Sequence, residues 1–295
     1  MTNQILLVGT ATLDIVYALE RYPAEDAEVR AQGLRVCRGG NAANSAVVLA
    51  QLGQRCSFAG VLAEAPETAV IAQDFARFGV DASHCTRAPG RPPTSSILLA
   101  PASRSIVHYR DLPELTAAQF ARIDLAPFGW LHFEGRNVPE LRCMLGQARA
   151  QQPQAMISLE VEKPRDGIEQ LFGLADVLIF SRAYAQHCGH ADAQAFLAQM
   201  HESAAQADSV VAWGEAGAYG LGRNGEHCHS PACPPARLVD TLGAGDTFNA
   251  GLIAALANGA ALAQALPAGC RLAGHKCGIE GFALGPGARL IFELT

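Results

Sequence analysis

The chain has 295 residues, of which 49% are hydrophobic and 17% charged, and its formal net charge is −6. That length can bury a large core, in one sizeable α/β domain or two smaller ones. The mildly acidic balance argues against a dedicated nucleic-acid surface, which needs clustered Lys and Arg, and no run approaches the roughly 18–20 apolar residues of a membrane span.

Ile5-Leu6-Leu7-Val8 reads as a buried first strand, not as a leader, because no basic region precedes a long apolar core. Asn41 to Leu52 is helical, closed by Gly53. Arg55 to Val61 is strand-like, and Thr68 to Phe78 is a helix ended by Gly79. Further strands are expected at Trp130–Phe133, Ala155–Leu159, Val177–Phe180 and Ser209–Trp213, with helices between them. The alternation predicts an α/β fold with a mostly parallel sheet covered by helices on both faces. Ligands in such sheets bind beyond the carboxyl ends of the strands. Two segments break the rhythm, near 15–36 and 94–110. Both read as extended strands with turns, suited to a small β-sheet lid. No repeat or Pro/Gly linker divides the chain, so residues 1–295 read as one domain.

Nine cysteines are scattered without a regular framework, which predicts free thiols and a cytoplasmic location. His227-Cys228-His229 and Cys233 hold soft metal ligands, but no Cys-x-x-Cys spacing is present and the prolines at 231, 234 and 235 mark a loop or strand edge.

The strongest motif is Val239-Asp240-Thr241-Leu242-Gly243-Ala244-Gly245-Asp246-Thr247-Phe248. It reads as a short strand at Leu238-Val239, a small-residue loop, and a helix beginning near Asp246. Phe248, Leu252, Ile253 and Leu256 recur along that helix at helical spacing. Gly243, Ala244 and Gly245 leave backbone N–H groups clear of side chains, and the helix's positive end adds attraction for phosphate. Asp246 at a helix start is expected to stay ionised and act as a weak base, which phosphoryl transfer tolerates because its transition state is loose. A helix cap and a tight turn would explain a lone Gly-x-Gly, but not the complete run.

The second motif is Arg38-Gly39-Gly40-Asn41-Ala42-Ala43-Asn44. Asn41 and Asn44 lie three apart on a first helical turn and carry amides suited to sugar hydroxyls. A capping role for Asn41 is the plain alternative. Asp14 follows the first strand, where a carboxylate would accept hydroxyls or simply form a turn. A nicotinamide dehydrogenase is excluded, since no Gly-x-Gly-x-x-Gly follows the first strand. A regulator without catalysis would be expected to have lost Asp246 or the glycine loop, and both are intact.

With these motifs on the page, together with His132 to Asn137, Glu160 to Arg165, Ala212 to Gly217 and Lys276-Cys277-Gly278, the chain resembles the ribokinase (PfkB) family of carbohydrate kinases over nearly its whole length. The resemblance implies a ribokinase-like three-layer αβα sandwich and transfer of the γ-phosphoryl group of ATP to a sugar. The Glu-Gly-Arg-Asn and Glu-x-Glu-Lys-Pro-Arg stretches narrow it to the branch acting on D-fructose at O1; ribose, another ketose or fructose at O6 are the alternatives. It further implies that Asp14, Gly40, Asn41 and Asn44 bind the sugar and that Asp246 is the base. Gly243, Ala244 and Gly245 would hold the transferring phosphate, Arg104 the ATP phosphates, and Gly214, Glu215, Ala216 and Gly217 would line the nucleotide site. Homodimerisation through the lid strands is expected, with Asp26 reaching the neighbour's sugar. Magnesium accompanies ATP, and potassium often activates the family. The family's Asn-x-x-Glu motif is replaced by Ser181-Arg182-Ala183-Tyr184, so the metal ligands stay unassigned.

Overall fold

The architecture comes from a computed structural model that describes residues 4–101 and 103–293; Ala102, inside the second lid segment, lies outside them. The main sheet has eight strands, in spatial order His227–Ser230, Ala218–Leu221, Asp208–Ala212, Val177–Ser181, Met156–Val161, Phe128–Glu134, Gln4–Val8 and Arg55–Ala59. The last six of these are mutually parallel, and Ala218–Leu221 alone runs antiparallel to both of its neighbours near one edge. The first strand shows why the sheet is covered on both faces. Ile5 and Leu7 point into one apolar layer, Leu6 and Val8 into the other, and all four are almost wholly buried.

One layer packs the helices Asn41–Gln51, Ala244–Ala257 and Leu262–Cys277 on the sheet. The last two cross where Gly251 meets Gly269: a Cβ on Gly251 would lie 3.0 Å from the Gly269 Cα. The opposite layer contains the helices Val138–Gln151 and Ala193–Ser203, with Phe180, Tyr184 and Phe196 in mutual ring contact.

The two irregular segments form a separate four-stranded sheet in the order Gly33–Gly39, Thr12–Ala18, Thr94–Ala100, Ser103–Tyr109. Its central pair is parallel and its outer pairs are antiparallel. It therefore begins earlier than the pattern implied, at Thr12, because that strand follows the first main-sheet strand after only three residues, 9–11. His227–Cys228–His229 lies on an edge strand of the main sheet.

Two expectations fail at the main motif. Leu238 and Val239 are not a strand but an exposed approach, with 63% and 48% of their surface accessible. The following helix starts at Ala244, not at Asp246, with Gly243 in the left-handed region at φ 77°. A side chain on Gly243 would also meet the Phe282 ring, at 2.1 Å from its Cβ. Ala244, Gly245 and Asp246 thus all belong to the first helical turn.

Candidate active site

A cavity of about 560 Å³ opens between the carboxyl ends of the parallel strands and the small sheet. The strand ends deliver Glu134, Glu160 and Ser181, and the small sheet delivers Asp14, Ser95, Arg104 and His108. The start of the helix Asn41–Gln51 brings Gly40, Asn41 and Asn44, and the start of the helix Ala244–Ala257 brings Gly243, Ala244, Gly245 and Asp246. The two sequence motifs, some 200 residues apart, therefore face each other across one space. Gly214, Glu215, Ala216 and Gly217 do not line it, although neighbouring Ala212 does. Asp26 is exposed on the connection between the strands Thr12–Ala18 and Gly33–Gly39, with φ 61°.

The glycines of the first motif are dictated by close approach. A Cβ on Gly39 would fall 2.0 Å from Asp14 Oδ2, and Gly40 has φ 97° with the Thr10 carbonyl 2.0 Å from any Cβ. Asp14 is buried, accepts from Thr12 Oγ1 at 2.7 Å, and faces the cavity. Burial raises its pKa above the usual carboxylate value, partly offset by the Thr12 and Ser95 hydroxyls, Arg38 and His108.

The two asparagines differ in what they can still offer. Gly40, not Asn41, caps the first helix, so the capping alternative for Asn41 is gone. Asn41 Nδ2 donates to Glu160 Oε1 at 3.2 Å and to Glu162 Oε2 at 3.1 Å, which leaves its oxygen for a hydroxyl donor. Asn44 is engaged at both ends. Its Nδ2 donates to Asp246 Oδ2 at 2.6 Å, and its Oδ1 accepts from Arg38.

Asp246 overturns the expectation of a freely ionised helix-start carboxylate. It is buried, and its pKa is pushed up to about 7. Burial is the main cause, and Glu162 and Glu134 add to it. The Asn44 hydrogen bond and Arg38 pull the other way. Glu160 is raised as well, first by burial, then by Asp246, Glu134 and Glu162. Its Oε1 accepts from Asn249 at 2.9 Å, and its Oε2 is buried without a partner.

Asp240, at the other end of the same loop, is held from beneath. Lys276, with no exposed surface, donates to the Asp240 carbonyl at 2.8 Å and pairs with its Oδ2 at 3.2 Å. Arg35 and the Gly281 N–H each reach Oδ2 at 3.1 Å, and the Leu242 N–H reaches Oδ1 at 2.9 Å. Burial would raise the Asp240 pKa, but Lys276 and these N–H groups outweigh it, and the net shift is downward. The result is a rigid base under the anion hole. A Cβ on Gly245 would meet nothing within 4 Å, so the first-turn N–H groups open onto the cavity.

The cavity is polarised. Asp14, Glu134, Glu160 and Asp246 make an acidic floor of hydroxyl acceptors. Arg104, His108, Arg110, Arg136, Lys163 and Arg165 form a basic rim. Glu134, Arg136, Glu160, Glu162, Lys163 and Arg165 stand in the family-like stretches but carry no role legible in the sequence. Their position at or just beyond the ends of parallel strands is the signal that would have found them. Ser181, which replaces the Asn of the missing Asn-x-x-Glu, caps the helix Arg182–His187 and donates to the Glu162 carbonyl at 2.6 Å.

Residues 2–284 match the profile of the pfkB family carbohydrate kinases. The chain belongs to the pfkB family. It is 42% identical to the ketohexokinase of Mus musculus over 291 residues, covering 95% of this chain and 98% of the mouse protein. Solved structures share the fold. Thermotoga maritima ribokinase gives a TM-score of 0.81 at 21% identity, over 99% of this chain and 98% of that one. Arabidopsis thaliana ribokinase, complexed with ribose and ATP, gives 0.81 at 20% over the full length of both. As a pfkB-family member the chain is an ATP-dependent carbohydrate kinase that uses magnesium. Among the described residues no three His, Cys, Asp or Glu groups could cage a metal.

Proposed function

We propose that this pfkB-family kinase phosphorylates D-fructose at O1, giving fructose 1-phosphate. Similarity to the mouse ketohexokinase over nearly the full length of both chains is the observation that carries the acceptor. The ribokinases resemble this chain at identities too low to bear on its sugar.

In this reading Asp14, the Asn41 oxygen and the Gly40 turn hold hydroxyls of the ketose. O1 lies against Asp246, which takes its proton as the O1–phosphorus bond forms and the bond to the β-phosphate oxygen breaks, releasing ADP. N–H groups of the 243–246 turn stabilise charge on the moving phosphoryl group. Arg104 and the other rim cations hold the nucleotide phosphates, with Gly214 to Gly217 beside the nucleotide. Magnesium, when bound, would neutralise phosphate charge, and Glu162, a half-exposed carboxylate of the cavity wall, would help hold it. Potassium enters as an activator through the family resemblance.

The small sheet acts as a lid that excludes water. Its outer face supports a homodimer: Leu34, Val36, Val107 and Tyr109 are 47–68% exposed, an apolar surface that a second copy would cover. Asp26, exposed beside it, would then reach the neighbouring sugar. Nine free cysteines agree with a cytoplasmic location.

The test is a coupled ADP-release assay with MgATP across ribose, fructose, tagatose and other sugars, with NMR of the product. Fructose preferred, with phosphorus coupling at C1, is expected. Preference for another acceptor, or phosphate at C6, overturns the assignment.

A further inference from the structure

Arg38 lies near the end of the strand Gly33–Gly39, is only 2% exposed, and does not itself line the cavity. Its Nε donates to Asp74 Oδ2 at 2.7 Å, on the helix Ala69–Phe78. Its other branch donates to Asn44 Oδ1. The rings of Phe75 and Phe282 cover it, at 5.9 and 5.2 Å from the guanidinium carbon. A guanidinium only donates, so the Asn44 oxygen must face it, and the amide nitrogen must face Asp246 Oδ2. That fixes one oxygen of the base and leaves the other for the sugar.

We propose that Arg38 is a positioning residue for the reaction: anchored by Asp74, it locks the Asn44 amide in the one orientation that aims and ionises Asp246. The inference rests on the reading of Asp246 as base. It also ties the base to the small sheet, since Arg38 belongs to a strand of that sheet.

The electrostatic setting makes the role necessary. Asp246 is faced by Glu134 and Glu162, and Glu160 is close enough to feel its charge. Arg38 is the cation that opposes these three carboxylates at Asp246. Without Arg38, the Asn44 amide is free to flip and present its oxygen to a carboxylate, which would repel it.

The test compares wild type, Arg38→Met, Arg38→Lys and Asp246→Asn by kcat and sugar KM from pH 5.5 to 9. With Arg38→Met, kcat is expected to fall about 10- to 100-fold. Loss of the cation should move the acid limb of kcat upward by about one pH unit, while sugar KM changes less than threefold. With Arg38→Lys the charge remains, but a single ammonium cannot span Asp74 and Asn44. The acid limb should then stay in place while kcat drops about fivefold or more. A folded Arg38→Met with unchanged kcat and acid limb overturns the proposal. Should that variant not fold, wild-type kcat in Arg38→Lys overturns it. Substantial turnover in Asp246→Asn would instead remove the base assignment on which the inference stands, so the two failures are told apart.

Discussion

Asp240 and Asp246 are the same residue type six positions apart, both buried, at the two ends of one loop, yet their surroundings drive them in opposite directions. Asp240 is met by Lys276, Arg35 and two backbone N–H groups, and its pKa falls. Asp246 is met by carboxylates and one amide, and its pKa climbs to about 7. Burial alone sets neither outcome; the partners that burial leaves in place decide. One carboxylate is spent on holding the loop, the other is kept in a state from which it can take a proton near neutral pH.

The sharpest way to break this contrast is Asp246→Asn. It keeps size and the Asn44 contact but cannot accept a proton, so kcat should fall about 10²- to 10⁴-fold while the far-ultraviolet circular dichroism stays unchanged. Asp240→Asn should do the reverse. It leaves the fully buried Lys276 without its carboxylate partner, and removing one member of a buried pair costs about 3 kcal/mol. Denaturant unfolding should show that loss. Equal damage to stability from both variants would mean that the two positions are not specialised.

What could be read beforehand follows the same division. The strands at 5–8, 130–133, 155–159, 177–180 and 209–213 were legible because fully buried parallel strands are continuous apolar runs, and each lies within or beside an observed strand. Asp246 and the Asn41/Asn44 pair were legible because glycine spacing marks close backbone approach. The pKa of Asp246 was not, since Glu134, Glu160 and Glu162 reach it through tertiary packing from strands more than 80 residues away. Nor was the engagement of Asn44 by Arg38: adjacency in sequence does not say which way an amide turns. Leu238-Val239 misled because two apolar residues beside a glycine loop suit an exposed approach as well as a strand.

A smaller effect separates the two aspartates by pH. Asp246 has a folded pKa of about 7, above its unfolded value of about 3.9. Its contribution to stability is therefore complete below pH 4 and is lost as pH rises through 7. Asparagine mimics the protonated form, so Asp246→Asn should gain stability on wild type between pH 4 and pH 8, on the order of 2 kcal/mol. Asp240 has a lowered folded pKa, so its contribution is present above pH 4 and is lost as pH falls further. The deficit of Asp240→Asn should shrink in acid. Unfolding midpoints at four pH values check both signs, and parallel pH curves for the two variants would contradict the opposed shifts.

The smallest expected effect lies at Glu160. Its carboxyl is buried, raised in pKa, and receives Asn41 and Asn249 on one oxygen. A glutamine there keeps the accepting oxygen and turns the unpartnered one into a donor. If Glu160 is already protonated at neutral pH, Glu160→Gln removes no charge facing Asp246. The acid limb of kcat should then stay within about 0.3 pH unit of wild type. If Glu160 is ionised, the same change deletes a neighbouring negative charge, and the limb should move to lower pH by about one unit. The first result assigns the raised Asp246 pKa to burial with Glu134 and Glu162; the second makes Glu160 its main electrostatic opponent and strengthens the demand on Arg38.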